Sequence, residues 1–250
     1  MINIQNLNLT YKNNRILKNI SLRLKNGKTL GIIGQSGSGK SMFARTLINL
    51  LGDEFSINVD KFEVLGKSVL SLGKKELVNY RKFDVGLIFQ NAGESFHPLY
   101  NIGDIFITSL KNHYKDINEI KKVTFDTLAR LGFENPELIW HEFPLQISGG
   151  MLARVQIALN LCMRQKMLIC DEITSSLDSI NAQNIINILK ELKDELNFII
   201  ITHDPNVIYE LADEVCVFDG GKIIEQNIKS EIFDRPKEKL TKEILCGKLN

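Results

Sequence analysis

The chain has 250 residues, 44% of them hydrophobic and 24% charged, and its 31 Lys and Arg against 30 Asp and Glu leave a net charge of +1. That balance offers no basic stripe for nucleic acid and no acidic tail for a basic partner, and the length suits one large domain or a core with a subdomain. No apolar run approaches the roughly 18 residues of a membrane helix, and the four cysteines (Cys162, Cys170, Cys216, Cys246) show no C-x-x-C spacing. They are expected to be reduced thiols in a cytosolic compartment, not disulfide or zinc sites.

In chain order, "INIQNLNLTY" alternates apolar and polar residues and contains no signal-peptide core. "ILKNISLRLKNG" alternates again and stops at Gly27, and "TLGIIG" is a short buried strand. A helix is expected from Lys40 through "SMFARTLINLL". Residues 52–81 are mixed and contain a helical "KKELVNYRK", followed by the strand "DVGLIF". From about Asn91 to Met163 the pattern is helical. Strands return as "KMLICD" and "FIIITH" around the helix "AQNIINILKELKDEL", and "EVCVFD", Gly220-Gly221 and "KIIEQ" read as a hairpin. The expected architecture is α/β, with strand-rich segments 1–90 and 164–250 flanking a helical insert over 91–163.

"GQSGSGKS", Gly34 to Ser41, matches G-x-x-x-x-G-K-[ST] in full, directly after a strand and opening a helix. Gly34, Gly37 and Gly39 let the backbone turn and bring N–H groups onto phosphate oxygens, with Gln35, Ser36, Ser38 and Met42 in or beside the loop. The helix N-terminus adds positive potential, Lys40 reaches the β- and γ-phosphates, and Ser41 offers a hydroxyl to Mg²⁺. "KMLICDE" ends in Asp171 and Glu172, suited respectively to Mg²⁺ binding and to polarising a water for attack on the γ-phosphate. "FIIITHD" brings His203 to the same sheet edge, within reach of the γ-phosphate. A Gly/Ser turn, an acidic strand cap and a satisfied structural histidine are the bland alternatives, and the co-occurrence of all three motifs weighs against them.

One further stretch fits no strand–loop–helix unit: "ISGGM", Ile147 to Met151, begins a helical pattern without a strand before it. It resembles the signature motif, usually LSGGQ, of the ATP-binding cassette (ABC) family. Gln90 resembles that family's Q-loop glutamine, which contacts Mg²⁺ and the attacking water. "SSLD", Ser175 to Asp178, resembles the D-loop, His203 the switch histidine, and Tyr11, 23 residues before Gly34, the aromatic ring that stacks on adenine. The resemblance covers the whole chain in the family's order. It implies a P-loop NTPase core of RecA type with an antiparallel β subdomain and an inserted α-helical subdomain, binding ATP and Mg²⁺ through Ser41, Gln90 and Asp171. It also implies head-to-tail pairing of two cassettes, so that Ser148, Gly149, Gly150, Met151 and Asp178 would serve a nucleotide held by the partner chain. A plain helix cap at Ser148 is the ordinary alternative.

Met151 in place of Gln, Ala153 where Gln is common and Ile173 in place of Pro depart from the general pattern, while Arg154 is kept. "IFQNAGESFHPLYNIGDIF", "FPLQISGGMLARVQIA" and "EIFDRPKEKLTKEIL" resemble segments of the peptide/nickel importer branch, although Glu238, Lys239 and Leu240 replace that branch's His-Pro-Tyr. The chain's short form is similar to the first cassette of nickel/cobalt or metal–metallophore importers; a dipeptide or oligopeptide importer is the alternative, and a non-transport ABC ATPase is less favoured. Expected partners are a second, different cassette, two transmembrane permease subunits and an extracytoplasmic substrate-binding protein, with the chain peripheral on the cytoplasmic face of the membrane. No sustained heptads between Lys40 and Ser148 suggest a repair or chromosome ATPase. His97, His113 and His141 lack metal-ligand spacing and are expected to be surface or packing residues, and Trp140 and Phe143 to be subdomain core.

Overall fold

The computed structural model describes residues 2–89 and 96–246, so Gln90 lies outside the described residues. Among the described residues there are eleven strands: β1 Ile2–Tyr11, β2 Asn14–Leu24, β3 Leu30–Gly34, β4 Phe55–Asn58, β5 Lys61–Val64, β6 Lys67–Ser68, β7 Val85–Ile88, β8 Met167–Asp171, β9 Asn197–Thr202, β10 Glu214–Asp219 and β11 Lys222–Ile228. They sort into two sheets. The alternating N-terminal segments build an antiparallel one in which β1 pairs with β2 on one side and with β4 and β5 on the other. The apolar runs build a six-stranded sheet of order β11-β10-β3-β9-β8-β7, parallel except for the hairpin strand β11.

The helices are α1 Lys40–Leu47, α2 Lys74–Phe83, α3 Ile102–Leu110, α4 Ile117–Arg130, α5 Pro136–His141, α6 Gly149–Cys162, α7 Ser179–Glu191, α8 Pro205–Leu211, α9 Lys229–Asp234 and α10 Lys239–Leu245. The parallel strands are buried on both faces, which is why they read as continuous apolar runs. Their side chains alternate between two clusters. Ile33, Cys170, Ile200 and Val217 pack with the helices α3 to α8, while Ile32, Ile169, Ile199 and Phe218 pack with α1 and the antiparallel sheet. Trp140 sits in the helical cluster against Phe106 and Phe125, as expected. Phe143 does not: it is 39% exposed, because the chain turns there into the short 3₁₀ segment Pro144–Gln146 ahead of α6. His97 and His141 are exposed, and His113 lies against the Phe83 ring. Among the described residues no helix is long and apolar enough to cross a membrane.

Strand order fixes where the motifs meet. β3, β9 and β8 are consecutive neighbours and run parallel, so the residues following them emerge side by side at one edge of the sheet.

Candidate nucleotide site

A cleft of about 740 Å³ opens at that edge, lined by the loop from Gly34 to Met42, by Glu172 and His203, and by Ile16 and Ile244. The loop glycines have different jobs. Gly37 and Gly39 take φ of +77° and +103°, a region that favours glycine. Gly34 does not; a Cβ there would lie 2.2 Å from the Phe218 carbonyl oxygen of the neighbouring β10. Its role is close approach, not turning. Lys40, only 7% exposed, donates to the carbonyls of Gly34 (2.7 Å) and Gln35 (2.8 Å). Burial pulls its pKa down while the charges of Glu172 and Asp171 push it up. The result is a desolvated cation beside a backbone cradle at a helix N-terminus, an arrangement suited to phosphate.

Glu172 follows β8 with φ of +54°. A non-glycine residue in that conformation carries roughly 1–3 kcal/mol of strain and persists only where its surroundings hold it. Here its N–H donates to the Ile201 carbonyl of β9 (2.8 Å). Its carboxylate sits 2.9 and 3.0 Å from Nδ1 of His203 and accepts from Thr202 Oγ1 at 3.4 Å. The backbone turn is what sends Glu172 into the cleft while Asp171, one residue earlier, stays 7% exposed beneath the loop. Burial raises the Asp171 pKa; the Ser41 hydroxyl and Lys40 oppose that shift. Asp171 Oδ1 is buried with no hydrogen-bond partner. An orphaned carboxylate oxygen beside a hydroxyl suits a hard divalent cation that takes oxygen ligands, so Ser41 and Asp171 fit Mg²⁺.

The remaining expected residues fall outside the cleft. Tyr11 ends β1 with its ring 4.9 Å from that of Phe55. The Glu54 charge raises its pKa, and it does not line the cleft, whereas Ile16 of β2 does. Ser148 and Gly149 are exposed and also absent from the lining. Ser148 is the N-cap of α6, accepting from the Met151 N–H at 3.3 Å, and Met151 is half-buried against the helical cluster. The D-loop sits against this helix start. A Cβ on Gly149 would lie 3.5 Å from Leu177, and one on Gly150 2.6 Å from Asn181 Oδ1. Asn181 is tied in turn to Asp178, which caps α7 by accepting from Ile180 N–H (3.1 Å) and Asn181 N–H (2.9 Å) and also accepts from Asn181 Nδ2 (2.6 Å). Arg154 stacks 4.5 Å over the Phe133 ring and donates to the Gly132 carbonyl, fastening α6 to the end of α4.

Sequence reasoning missed Thr202, Ile16 and Ile244. Thr202 adjoins His203 and was within reach of a strand-edge argument. Ile16 and Ile244 carry no local signal, since each is one apolar residue in an ordinary pattern.

Comparison with known proteins agrees with this geometry. Residues 17–175 match the ABC transporter family. The chain is 32% identical over 244 residues to the metal-staphylopine import system ATP-binding protein CntD of Staphylococcus aureus, covering 96% of this chain and 89% of that protein. It is 34% identical over 235 residues to the oligopeptide transport ATP-binding protein AmiE of Streptococcus pneumoniae, covering 92% and 66%. Among solved structures, the dimeric post-hydrolysis state of the ATP-binding cassette MJ0796 bound to ADP and Pi superposes with a TM-score of 0.79 at 26% identity, covering 91% of this chain and 98% of that one. With its phosphate loop, strand-end carboxylates and histidine gathered at one sheet edge, the chain belongs to the ABC transporter family.

Proposed function

We propose that the chain is the ATP-hydrolysing subunit of a multi-subunit importer whose cargo is nickel, cobalt or a metal–metallophore complex. The observation that carries the hydrolytic part is Glu172, held by His203, Thr202 and the β9 backbone at the edge where Lys40 is buried. Lys40 and the loop N–H groups neutralise the β- and γ-phosphates of ATP. Glu172 accepts the proton of a water as its oxygen attacks the γ-phosphorus and the bond to ADP breaks. His203, with Nδ1 engaged by Glu172, fixes the carboxylate and leaves Nε2 for the cleft. Ser41 and Asp171 would hold Mg²⁺, which when bound would supply positive charge to neutralise the phosphates, with Gln90, outside the described residues, as a third ligand. Tyr11 is retained as the adenine-side aromatic residue.

The start of α6, with Ser148 and Gly149 exposed, supports a composite site. This helix start lies outside the lining of the chain's own cleft and suits the γ-phosphate of a nucleotide on a second cassette, with Asp178 capping the neighbouring helix. A second and different cassette, two permease subunits, an extracytoplasmic binding protein and a place on the cytoplasmic face of the membrane complete the assembly.

The cargo reading is supported by the relative named for metal-staphylopine import, matched over nearly the whole chain. Peptide import is the second reading, favoured by the oligopeptide relative at similar identity. The test is to purify the intact complex through this chain and identify what its extracytoplasmic binding protein holds. A bound metal or metal chelate is expected; a bound peptide with no metal sinks the metal reading and establishes the other.

A further inference from the structure

The cleft has one wall that no nucleotide motif supplies. Ile244, on α10, lines it together with Ile16 of β2. The two belong to opposite sides of the sheet: Ile16 packs on the cluster under the antiparallel sheet, while Ile244 is part of the helical cluster and 7% exposed. α10 is held in place from outside the cleft. The Glu225 carboxylate on β11 accepts the N–H groups of Lys237 (3.0 Å) and Glu238 (3.2 Å) ahead of the helix, and Leu240 and Leu245 rest on the helical cluster.

We propose that α10 is part of the nucleotide site: Ile244 forms an apolar wall of the ATP cleft, and ATP binding and α10 docking stabilise each other. This rests on the reading of the cleft as an ATP site. An apolar wall excludes water from one side of the cleft and so strengthens the field of the buried Lys40 there. A ligand seated against Ile244 removes its remaining exposure, and coupling between two binding events is reciprocal.

The experiment uses the purified chain with ATP and EDTA, so that binding is read without turnover. Titration calorimetry is run on wild type and on Ile244→Ala, Leu240→Ala and Lys40→Ala. Hydrogen exchange of residues 239–245 is followed with and without saturating ATP. Ile244→Ala is expected to weaken ATP by about twofold, because the 7% of Ile244 left exposed limits the apolar area a ligand can cover and the truncation also loosens α10. Leu240→Ala, which loosens the same helix without lining the cleft, should weaken ATP less than Ile244→Ala does, through docking alone, and ATP should slow α10 exchange in the wild type. If wild type binds ATP but α10 exchange does not change, or if Ile244→Ala and Leu240→Ala weaken ATP alike, the wall is refuted and the ATP site stands. If wild type and Lys40→Ala both fail to bind ATP, the ATP reading falls and the wall with it.

Discussion

At the scale of single residues, what distinguishes this site is how few side chains are left to choose their own position. Glu172 is placed by a strained backbone that three neighbours hold, and Gly150 is placed by what it lacks. A Cβ at Gly150 would meet Asn181 Oδ1 at 2.6 Å and Asn181 Cβ at 3.1 Å, so Gly150→Ala must displace Asn181 from Asp178. A loss of about 1–3 kcal/mol in urea unfolding is expected from that overpacking. Asn181→Ala in the same chain should recover part of it, giving a non-zero coupling energy in the double-mutant cycle. Additive effects would mean that signature and D-loop are not joined through this contact. The residue types were legible in the sequence, since Lys40, Ser41, Asp171, Glu172 and His203 sit in contiguous motifs. Their reasons were less so. That Gly34 answers to β10 depends on a neighbour more than a hundred residues away, and that Glu172 turns left-handed depends on a different strand, β9.

At the scale of elements, the alternation and the apolar runs gave the strands and helices their places because local period follows burial. Joints between elements were not visible in that way. Asp84, at the end of α2, is 2% exposed and bonds both Lys67 of β6 and Lys166 before β8, the latter at 2.8 Å. One carboxylate thereby ties the antiparallel sheet to the parallel one. Burial raises its pKa, but the hydrogen bonds and charges of Lys166 and Lys67 outweigh this and hold it below the usual carboxylate range. Because the folded value is depressed, its contribution is full above the unfolded pKa and is lost as pH falls through the folded one. Asp84→Asn should cost about 1–3 kcal/mol near neutral pH, the lysines being partly solvated. The gap between wild type and variant in thermal unfolding should close in the acid range below the ordinary carboxylate pKa. A gap that widens on acidification would mean the carboxylate is not the stabilising form. Phe143 shows the same limit from the other side: its apolar character suggested core, but the 3₁₀ segment after it turns the ring outward.

At the scale of the whole molecule, the parallel sheet divides the labour. Its carboxyl edge gathers the loop, carboxylates and histidine; one face carries the helices that present Ser148, Gly149 and Asp178; the other carries the antiparallel sheet with Tyr11 and Ile16. The order of motifs along the chain made this family legible, because each motif is local and the spacing between them is set by the succession of strands and helices. The contribution of α10 was illegible, because Ile244 reaches the cleft only through tertiary packing. On the proposed reading, this edge hydrolyses ATP through Glu172. The most direct measurement is phosphate release by wild type and Glu172→Gln, each assembled in its importer complex with the second cassette's own phosphate loop inactivated, with bound ATP quantified in the same samples. Equal ATP occupancy is expected, with hydrolysis slower in the variant by about 10²- to 10⁴-fold, the range for loss of a positioned general base. Hydrolysis at the wild-type rate by Glu172→Gln would contradict the account.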